Sequence, residues 1–236
     1  MRRSTSAWAL AIALVVTLTV TGCSSESAVD PADFSAIVDN FYLPLSPGAS
    51  RVYEGSSEEG ATRVTVTVLL ESRVVLGVKC RVVLDQVFVK DELRESTRGW
   101  YAQDAEGNVW SFGEAIEQYK GGKVIDTAGS WEAGVEGAAP GIVMKAEPTV
   151  GDVYPQEYLA GEAGGMAEVL EVDATVEVPY SSFRGVVKIK EWTPLDPGVI
   201  EEKYYAPGMG LVLTEQVEGG SDWGRLIHLF GLCCPQ

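Results

Sequence analysis

The stretch VTVTVLLESRVVLGVKCRVVLDQVFV, residues 64–89, decides the fold of this chain. Its first five residues alternate valine with threonine, and this period of two is typical of a strand with one buried face and one face in water. Gly77 predicts a turn, and residues 78–89 predict the strand that follows it. Strands joined by so short a connection pair antiparallel, so the stretch predicts a hairpin.

Strand patterns continue towards the C-terminus of the chain. Residues 129–165 are rich in Gly, Ala and Pro and predict mostly loop, with one strand near residues 152–154. The segment 114–119 has no clear period. The turn signals lie at residues 104–108, 121–122, 197–198 and 219–220. The further strands are predicted at residues 93–103, 109–112, 123–125, 167–172, 175–178, 185–192, 199–206, 211–217 and 223–230.

Helical patterns are scarce in the sequence. Asp30 is a capping acid, Pro31 suits the first helical position and Asp33 adds negative charge to the first turn, so residues 31–38 predict a short helix. No long amphipathic helix follows it. We therefore predict an all-β fold, mainly an antiparallel meander of roughly ten or eleven strands. Its form is a large curved sheet or half-open barrel with a short N-terminal helix.

A sheet of this size must bury its apolar face, and the chain offers too little helix to cover it. The sheet is therefore expected to curl on itself. The interior of such a sheet is either filled by side chains or encloses a ligand. The sequence leaves both alternatives open.

The N-terminus has the layout of a secretory signal. Arg2 and Arg3 precede the uncharged segment 7–20, and small residues lead to Cys23. This layout resembles the lipobox of bacterial lipoproteins, which implies cleavage before Cys23 and acylation of its thiol. The alternatives are plain cleaved secretion and a retained membrane helix. The predicted organisation is a lipoprotein signal peptide over residues 1–22, a tether and short helix over 23–39, and a single antiparallel β domain over 40–236.

The chain is strongly acidic, with 18 Lys and Arg residues against 34 Asp and Glu residues and a formal net charge of −16. Loss of the leader would remove two arginines and no acid, which takes the charge to −18. Such a field repels nucleic acid and anionic headgroups, so neither is predicted as a partner. We expect the acyl chains on Cys23 to anchor the protein to the outside of the bacterial membrane, in the cell envelope.

Three further cysteines lie in a compartment where disulfides persist. The adjacent Cys233 and Cys234 bridge each other only with strained geometry, so the candidate disulfide joins Cys80 to Cys233 or to Cys234. The competing interpretation makes Cys80 a small buried residue, because it alternates with Val78 and Val82 on one strand face.

Catalytic and metal-binding patterns are sparse. His228 is the single histidine and is interpreted as an ordinary strand residue, no serine has a Gly-x-Ser-x-Gly context, and the thiols lack zinc-ligand spacing. Asp104, Glu106 and Asn108 offer oxygen ligands for calcium, but the same residue types make a tight hairpin turn. We therefore predict no enzyme activity, no cofactor and no metal site. The first alternative is an envelope glycan hydrolase that uses two carboxylates, and the second is a structural or interaction module.

Aromatic residues bracket the hairpin at residues 104–108. Trp100 and Tyr101 precede the turn, and Trp110 and Phe112 follow it. Aromatic side chains on a sheet can form a platform for sugars or lipid tails, whereas cross-strand packing within the hairpin needs the same residues. The packing interpretation is preferred.

The segment YYAPGMGLV, residues 204–212, is similar to a signature of a family of bacterial exported lipoproteins without established activity. Residues 100–110, 129–134 and 191–195 resemble the same family. The resemblance implies export and supplies no catalytic residues. At the level of fold alone, the chain is similar to the curved, half-open sheets of LolA-like lipoprotein carriers.

These observations predict a membrane-anchored extracytoplasmic lipoprotein. Its curved sheet is expected to bind an apolar or amphiphilic ligand, or a partner in the envelope. The sequence assigns no ligand-binding residues.

Overall fold

The computed structural model describes residues 29–159 and 162–231. The described chain begins with a 3-10 turn, Pro31–Asp33, and is otherwise built from strands. The strands of the first half are β1 (Phe34–Ser35), β2 (Ser50–Ser57), β3 (Gly60–Val75), β4 (Val78–Val89), β5 (Glu92–Asp104), β6 (Val109–Lys120), β7 (Lys123–Asp126), β8 (Trp131–Glu132) and β9 (Ala139–Met144). The strands of the second half are β10 (Val153–Pro155), β11 (Glu157–Leu159), β12 (Glu162–Ala163), β13 (Met166–Val178), β14 (Ser181–Thr193), β15 (Asp196–Ala206), β16 (Gly210–Glu218) and β17 (Trp223–Phe230).

The strands form a nearly closed antiparallel barrel. β2 to β6 pair in sequence order, β13 to β17 do the same, and β17 pairs with β2, which joins the two meanders. Short strands close the barrel between β6 and β13. β9 pairs with β6 and β11, and β10 pairs with β13. This seam is thin, because β9 and β11 share only two paired positions and β10 and β13 share three. The all-β antiparallel prediction is confirmed.

The predicted helix over residues 31–38 is wrong. The side chain of Asp30 accepts a hydrogen bond from the Ala32 amide as a cap should, but the helical turn ends at Asp33. Phe34 and Ser35 instead pair with the end of β5 as strand β1. The ring of Phe34 packs edge-on against Phe112, with ring centroids 5.2 Å apart, so tertiary packing overrides the local helix signal.

The predicted loop over residues 129–165 is also incomplete, since β8, β9, β10, β11 and β12 lie within it. The ambiguous segment 114–119 is the second half of β6. The two strands predicted at 167–172 and 175–178 form the single strand β13, which stays paired with β14 through three register shifts. These short or bulged strands lack the sustained alternation of apolar and polar residues that predicts a strand.

The inner face of the barrel is identified by its packing. Val68, Val83, Ile189 and Tyr205 come from strands on different sides of the barrel, yet they pack into one buried cluster. Directly paired residues of an antiparallel sheet share a face, so register extends this assignment along each strand. One row of inward residues crosses β2 to β6: Tyr53, Val64, Val87, Glu95 and Gln118. A second row crosses β14 to β16: Glu191, Glu201 and Gln216.

One end of the barrel is closed by residues 36–49, which we call the plug. Val38, Leu45 and Ala49 of the plug are buried in the inner apolar cluster. The side chain of Asn40 donates to the carbonyls of Gly107 and Lys145, at 2.9 and 3.1 Å, and accepts from the next residues of the plug. The plug is therefore held by both hydrophobic packing and hydrogen bonds to the surrounding hairpins.

Candidate functional site

The opposite end of the barrel opens into a cavity of about 1000 Å³, which we call the mouth cavity. Its rim includes the turns that follow β2 and β16 and the last residues of β4 and β6. The apolar wall comes from inward residues of β2, β3 and β4: Tyr53, Val64, Val87 and Val89. The polar wall comes from inward residues of β5, β6, β15 and β16: Glu95, Gln118, Glu201, Thr214 and Gln216.

The polar wall continues inwards to Lys203. Its Nζ atom lies 2.5 Å from Oε2 of Glu191 and 3.8 Å from Oε2 of Glu201. Glu191 also accepts a hydrogen bond of 3.0 Å from the side-chain amide of Gln156. Burial alone would lower the pKa of Lys203, but Glu191, Tyr205 and Glu201 together raise it well above its usual value. Lys203 is therefore a permanent cation whose charge is committed mainly to Glu191.

Two further carboxyl groups of the interior titrate near neutrality. Burial, with Glu95 in second place, raises the pKa of Asp85 to about 7. Burial, followed by Glu157 and Glu95, raises the pKa of Glu114 to about 7. Lys203 opposes both shifts but does not cancel them. Oδ1 of Asp85 is buried and has no hydrogen-bond partner among the described residues.

Five carboxyl groups thus lie around one lysine in this part of the barrel. We call them the inner carboxylates: Asp85, Glu95, Glu114, Glu191 and Glu201. Arg94 also lines the cavity, but at the rim, where it lies 3.4 Å from Glu92 and 3.8 Å from Glu59. The interior beneath the mouth is consequently rich in negative charge.

Three tyrosines of the inner apolar cluster lie near the inner carboxylates: Tyr154 and Tyr205 are buried, and Tyr101 is part-buried. Burial raises the pKa of Tyr101, Tyr154 and Tyr205, and the neighbouring carboxylates raise it further. Their phenols therefore stay protonated. The hydroxyl of Tyr154 is buried and has no hydrogen-bond partner within the described residues. The interior thus changes from apolar at the plug, through phenolic, to ionic near the mouth.

Of the cysteines predicted to be acylated or to form a disulfide, the structure describes only Cys80. Cys23, Cys233 and Cys234 lie outside the described residues, so acylation and disulfide pairing stay predictions. Cys80 is fully buried beside Val78 and Val82 in one cluster, as the competing interpretation expected. Burial raises the pKa of its thiol to about 12.

The acidic hairpin around residues 104–108 is organised as a turn. Oδ1 of Asp104 accepts hydrogen bonds from the amides of Glu106 and Asn108, at 3.0 and 2.8 Å. Oδ2 of Asp104 accepts from the Asn108 side chain at 2.9 Å and from Nε1 of Trp110 at 2.7 Å. The carboxylate is fully occupied by its own hairpin, which supports the turn interpretation over the calcium alternative.

The aromatic residues beside this hairpin serve packing. Trp100, Trp110 and Phe112 belong to a cluster beneath Phe34 on the outer face of β5 and β6, whereas Tyr101 points inwards. The guanidinium of Arg73 covers the ring of Trp100, 4.1 Å from its centroid. They do not form an open platform for a ligand.

His228 is an exposed residue of β17, and its ring centroid lies 6.0 Å from that of Phe230. Over residues 29–159 and 162–231, no three His, Cys, Asp or Glu side chains are grouped so as to hold a metal ion.

The segment YYAPGMGLV forms the turn between β15 and β16 and docks on the plug. Gly208 and Gly210 have φ angles of 70° and 86°, which favour glycine. The Gly208 amide donates to the Phe41 carbonyl at 2.7 Å, and Nε of the buried Arg51 donates to the Met209 carbonyl at 2.8 Å. A Cβ atom on Gly210 would lie 3.1 Å from the Arg51 guanidinium. The signature therefore has a structural role in closing the barrel.

The inner carboxylates and Lys203 are the site residues that the sequence analysis did not identify. A signal for some of them was present, since Asp85 occupies an inward position between the apolar residues Val83 and Val87 of β4. An acid at such a position either faces a cavity or needs a partner. The pairing of Lys203 with Glu191 could not be inferred, because it depends on register between strands.

No helix within the described ranges is both long and apolar enough to cross a membrane. No protein-family model matches the chain, and no curated protein matches it significantly. Two solved structures resemble it. One is a putative exported protein with a YmcC-like fold from Bacteroides fragilis NCTC 9343, with 13% identity, a TM-score of 0.47 and coverage of 81% of this chain and 100% of that chain. The other is a putative lipoprotein from Parabacteroides distasonis ATCC 8503, with 13% identity, a TM-score of 0.43 and coverage of 81% and 99%.

Proposed function

We propose that this protein is a lipid-anchored, extracytoplasmic binding protein that holds an amphiphilic small molecule in the mouth cavity. The observation that carries the proposal is the cavity of about 1000 Å³, which has valines on one wall and carboxyl and amide groups on the other. Ligand sites are typically concave, with apolar walls and a few placed polar groups. A molecule with an apolar chain and a polar head would satisfy both walls.

The proposed role is binding without turnover. Glu191 is tied to Lys203 and Gln156, and Asp85 and Glu114 lie deeper than the residues that line the cavity. The raised pKa values of Asp85 and Glu114 favour the alternative of a glycan hydrolase, because such enzymes need a protonated carboxyl group near neutral pH. Incubation with envelope glycan separates the two functions, and we expect no release of reducing ends. Release that is lost in Glu114→Gln would establish the hydrolase instead.

The binding test compares two tryptophan substitutions on adjacent residues of β3. Val64→Trp places an indole inside the mouth cavity, while Thr65→Trp places the same group on the outer face of the barrel. The probe is N-phenyl-1-naphthylamine, a neutral dye that becomes fluorescent in apolar surroundings. We expect the wild type and Thr65→Trp to bind the dye equally, and Val64→Trp to bind it at least about 10-fold more weakly.

Circular dichroism shows whether both variants keep the fold. Equal binding of the dye by folded Val64→Trp and Thr65→Trp would place the site elsewhere and contradict the proposal.

The membrane anchor has its own test, because it depends on one thiol. Cys23→Ser removes the proposed acylation site and is expected to move the protein from the membrane fraction to the soluble fraction. Mass spectrometry of the wild-type N-terminus should find acyl chains on Cys23. Retention of the Cys23→Ser variant in membranes would contradict the anchor.

A further inference from the structure

We infer that the mouth cavity selects a positively charged amphiphile, with an ammonium or guanidinium head directed to the inner carboxylates and a hydrocarbon part against the valines. This inference rests on the proposed function and names the class of ligand. It follows from the placement of charge in the interior.

Two of the inner carboxylates, Glu95 and Glu201, line the cavity directly. Glu95 projects from β5 and Glu201 from β15, on opposite sides of the barrel. Glu95 accepts one hydrogen bond, of 3.2 Å from the Thr97 hydroxyl, and no Lys, Arg or His side chain of the described residues lies within 4 Å of it. Glu201 lies 3.8 Å from Lys203, whose shorter contact is with Glu191. Both carboxylates therefore remain short of positive charge.

Further acidic residues lie beneath these two carboxylates. Asp85 and Glu114 add negative charge directly under the cavity, and Oδ1 of Asp85 is buried with no hydrogen-bond partner in the described part of the chain. An unpaired polar atom in a low-dielectric interior is costly. A bound cation near Glu95 and Glu201 would lower the electrostatic free energy of all the inner carboxylates at once.

The negative charge of the interior disfavours an anionic ligand. An anionic head in the cavity would face the inner carboxylates. Lys203 is already paired with Glu191, and Arg94 at the rim lies near Glu92 and Glu59. The remaining cation of the lining, Lys120, is an exposed residue at the end of β6, away from the inner carboxylates. The apolar wall of Val64, Val87 and Val89 still needs a hydrocarbon partner. Together these features define an amphiphilic amine rather than a fatty acid, a phosphate or a simple inorganic cation.

The experiment measures binding of three probes that share a decyl chain and differ in the head. They are decyltrimethylammonium, decyl maltoside and decyl sulfate, each titrated by calorimetry at pH 8 below its micellar concentration. We expect the ammonium probe to bind about 10-fold or more tightly than the neutral probe, and the sulfate probe to bind most weakly. If no probe binds, the proposed function fails. If all three bind equally, the proposed function stands and the charge inference fails.

Two substitutions on adjacent residues of β15 locate the selectivity. Glu201→Gln removes a charge from the cavity, whereas Glu202→Gln removes the same charge from the outer face, where Glu202 lies 2.6 Å from Lys188. Both variants change the net charge equally. Glu201→Gln should weaken the ammonium probe about 5-fold and leave the neutral probe unchanged, while Glu202→Gln should leave both unchanged. Equal losses in the two variants would show that the overall acidity of the chain attracts the probe, which contradicts a charge-selective cavity.

Discussion

The closed end and the open end of the barrel are built from the same strands but differ in the charge of the polar groups that they bury. At the plug, Asn40 makes two side-chain hydrogen bonds as donor and two as acceptor, and Arg51 donates to the Met209 and Pro44 carbonyls at 2.8 and 3.0 Å. Near the mouth, Asp85 keeps an unpartnered oxygen among other carboxylates. Fully satisfied polar groups stabilise a fold, whereas crowded charges cost stability and are typical of binding sites.

A single strand shows the change from one end to the other. Val83 of β4 belongs to the apolar cluster beneath the plug, and the next inward residue, Asp85, belongs to the inner carboxylates. Val87, two residues further on, lines the mouth cavity. The division between a stabilising end and a binding end is therefore encoded by alternate residues of one strand. The following predictions test that division.

The largest effect is expected from Asn40→Ala at the closed end. This change removes four hydrogen bonds and leaves the Gly107 and Lys145 carbonyls without that partner, so we expect the free energy of unfolding to fall by about 3 to 4 kcal/mol. Urea denaturation measures it. The control is Gln118→Ala, an amide at the open end, which should cost under about 0.5 kcal/mol. Equal losses of unfolding free energy in Asn40→Ala and Gln118→Ala would contradict the proposed difference between the closed and open ends of the barrel.

The second effect is that of Lys203→Met at the open end. Without this cation, Glu191 and Glu201 face Asp85 and Glu114 uncompensated, so we expect a loss of about 2 to 3 kcal/mol in the free energy of unfolding at pH 8. The loss should shrink at pH 5, because the carboxyl groups of Asp85 and Glu114, with pKa values of about 7, are then protonated. A loss that is the same at pH 5 and pH 8 would mean that Lys203 does not offset these two groups.

The third substitution, Asp85→Asn, is expected to increase the stability of the protein. The pKa of Asp85 is raised to about 7 in the folded protein and is about 4 in an unfolded chain, so folding takes up protons between these values and stability falls as pH rises through this window. Asp85→Asn removes that loss and should stabilise the protein by about 1 to 2 kcal/mol at pH 8. The gain should vanish near pH 4.

The groups that face Asp85 are Tyr53 of β2, Glu95 and Tyr101 of β5, Glu114 of β6 and Lys203 of β15, and both proteins must keep all of them when the pH profile is measured. Thermal unfolding of wild type and variant across pH 4 to 8 gives the difference. Destabilisation by Asp85→Asn at pH 8 would show that the carboxylate is satisfied in the fold, which contradicts a charge-crowded open end.

Much of this barrel was predictable from sequence because long alternating strands bounded by turns carry a strong signal. The bounds Val78–Val89 and Trp223–Phe230 were predicted residue for residue. The helix over 31–38 was wrong because the signal from Asp30 and Pro31 is local, whereas the pairing of Phe34 with Asp104 joins distant parts of the chain. Local propensity cannot weigh such a contact.

The candidate site was harder to predict than the fold. The sequence shows that Asp85 has an inward position, but it does not show that Glu95 and Glu201 line one cavity from opposite sides of the barrel. Register shifts at Val87/Phe88 and Tyr204/Tyr205 decide which residues of β5 and β15 face inwards, and a shift by one residue exchanges the two faces. Bulges of this kind have no clear sequence signature, so the site emerges only when the strands are assembled.

The smallest loss of stability is expected from Lys188→Met. This variant compares an ion pair on the outer face of the barrel with the inner pair of Lys203 and Glu191. Lys188 lies 2.6 Å from Glu202 on β14 and β15, the same two strands that carry Glu191 and Lys203. Loss of Lys188 leaves Glu202 with the Tyr204 hydroxyl at 3.2 Å and with solvent, so the expected cost is about 0.5 kcal/mol. The side chains of Lys188 and Glu202 are 22% and 17% exposed, so about 0.5 M salt should reduce this cost without removing it, because part-buried charges are screened less than exposed ones. Should Lys188→Met cost as much as Lys203→Met at pH 8, the inward position of Lys203 would have no energetic meaning, and the electrostatic basis of a cation-selective cavity would be lost.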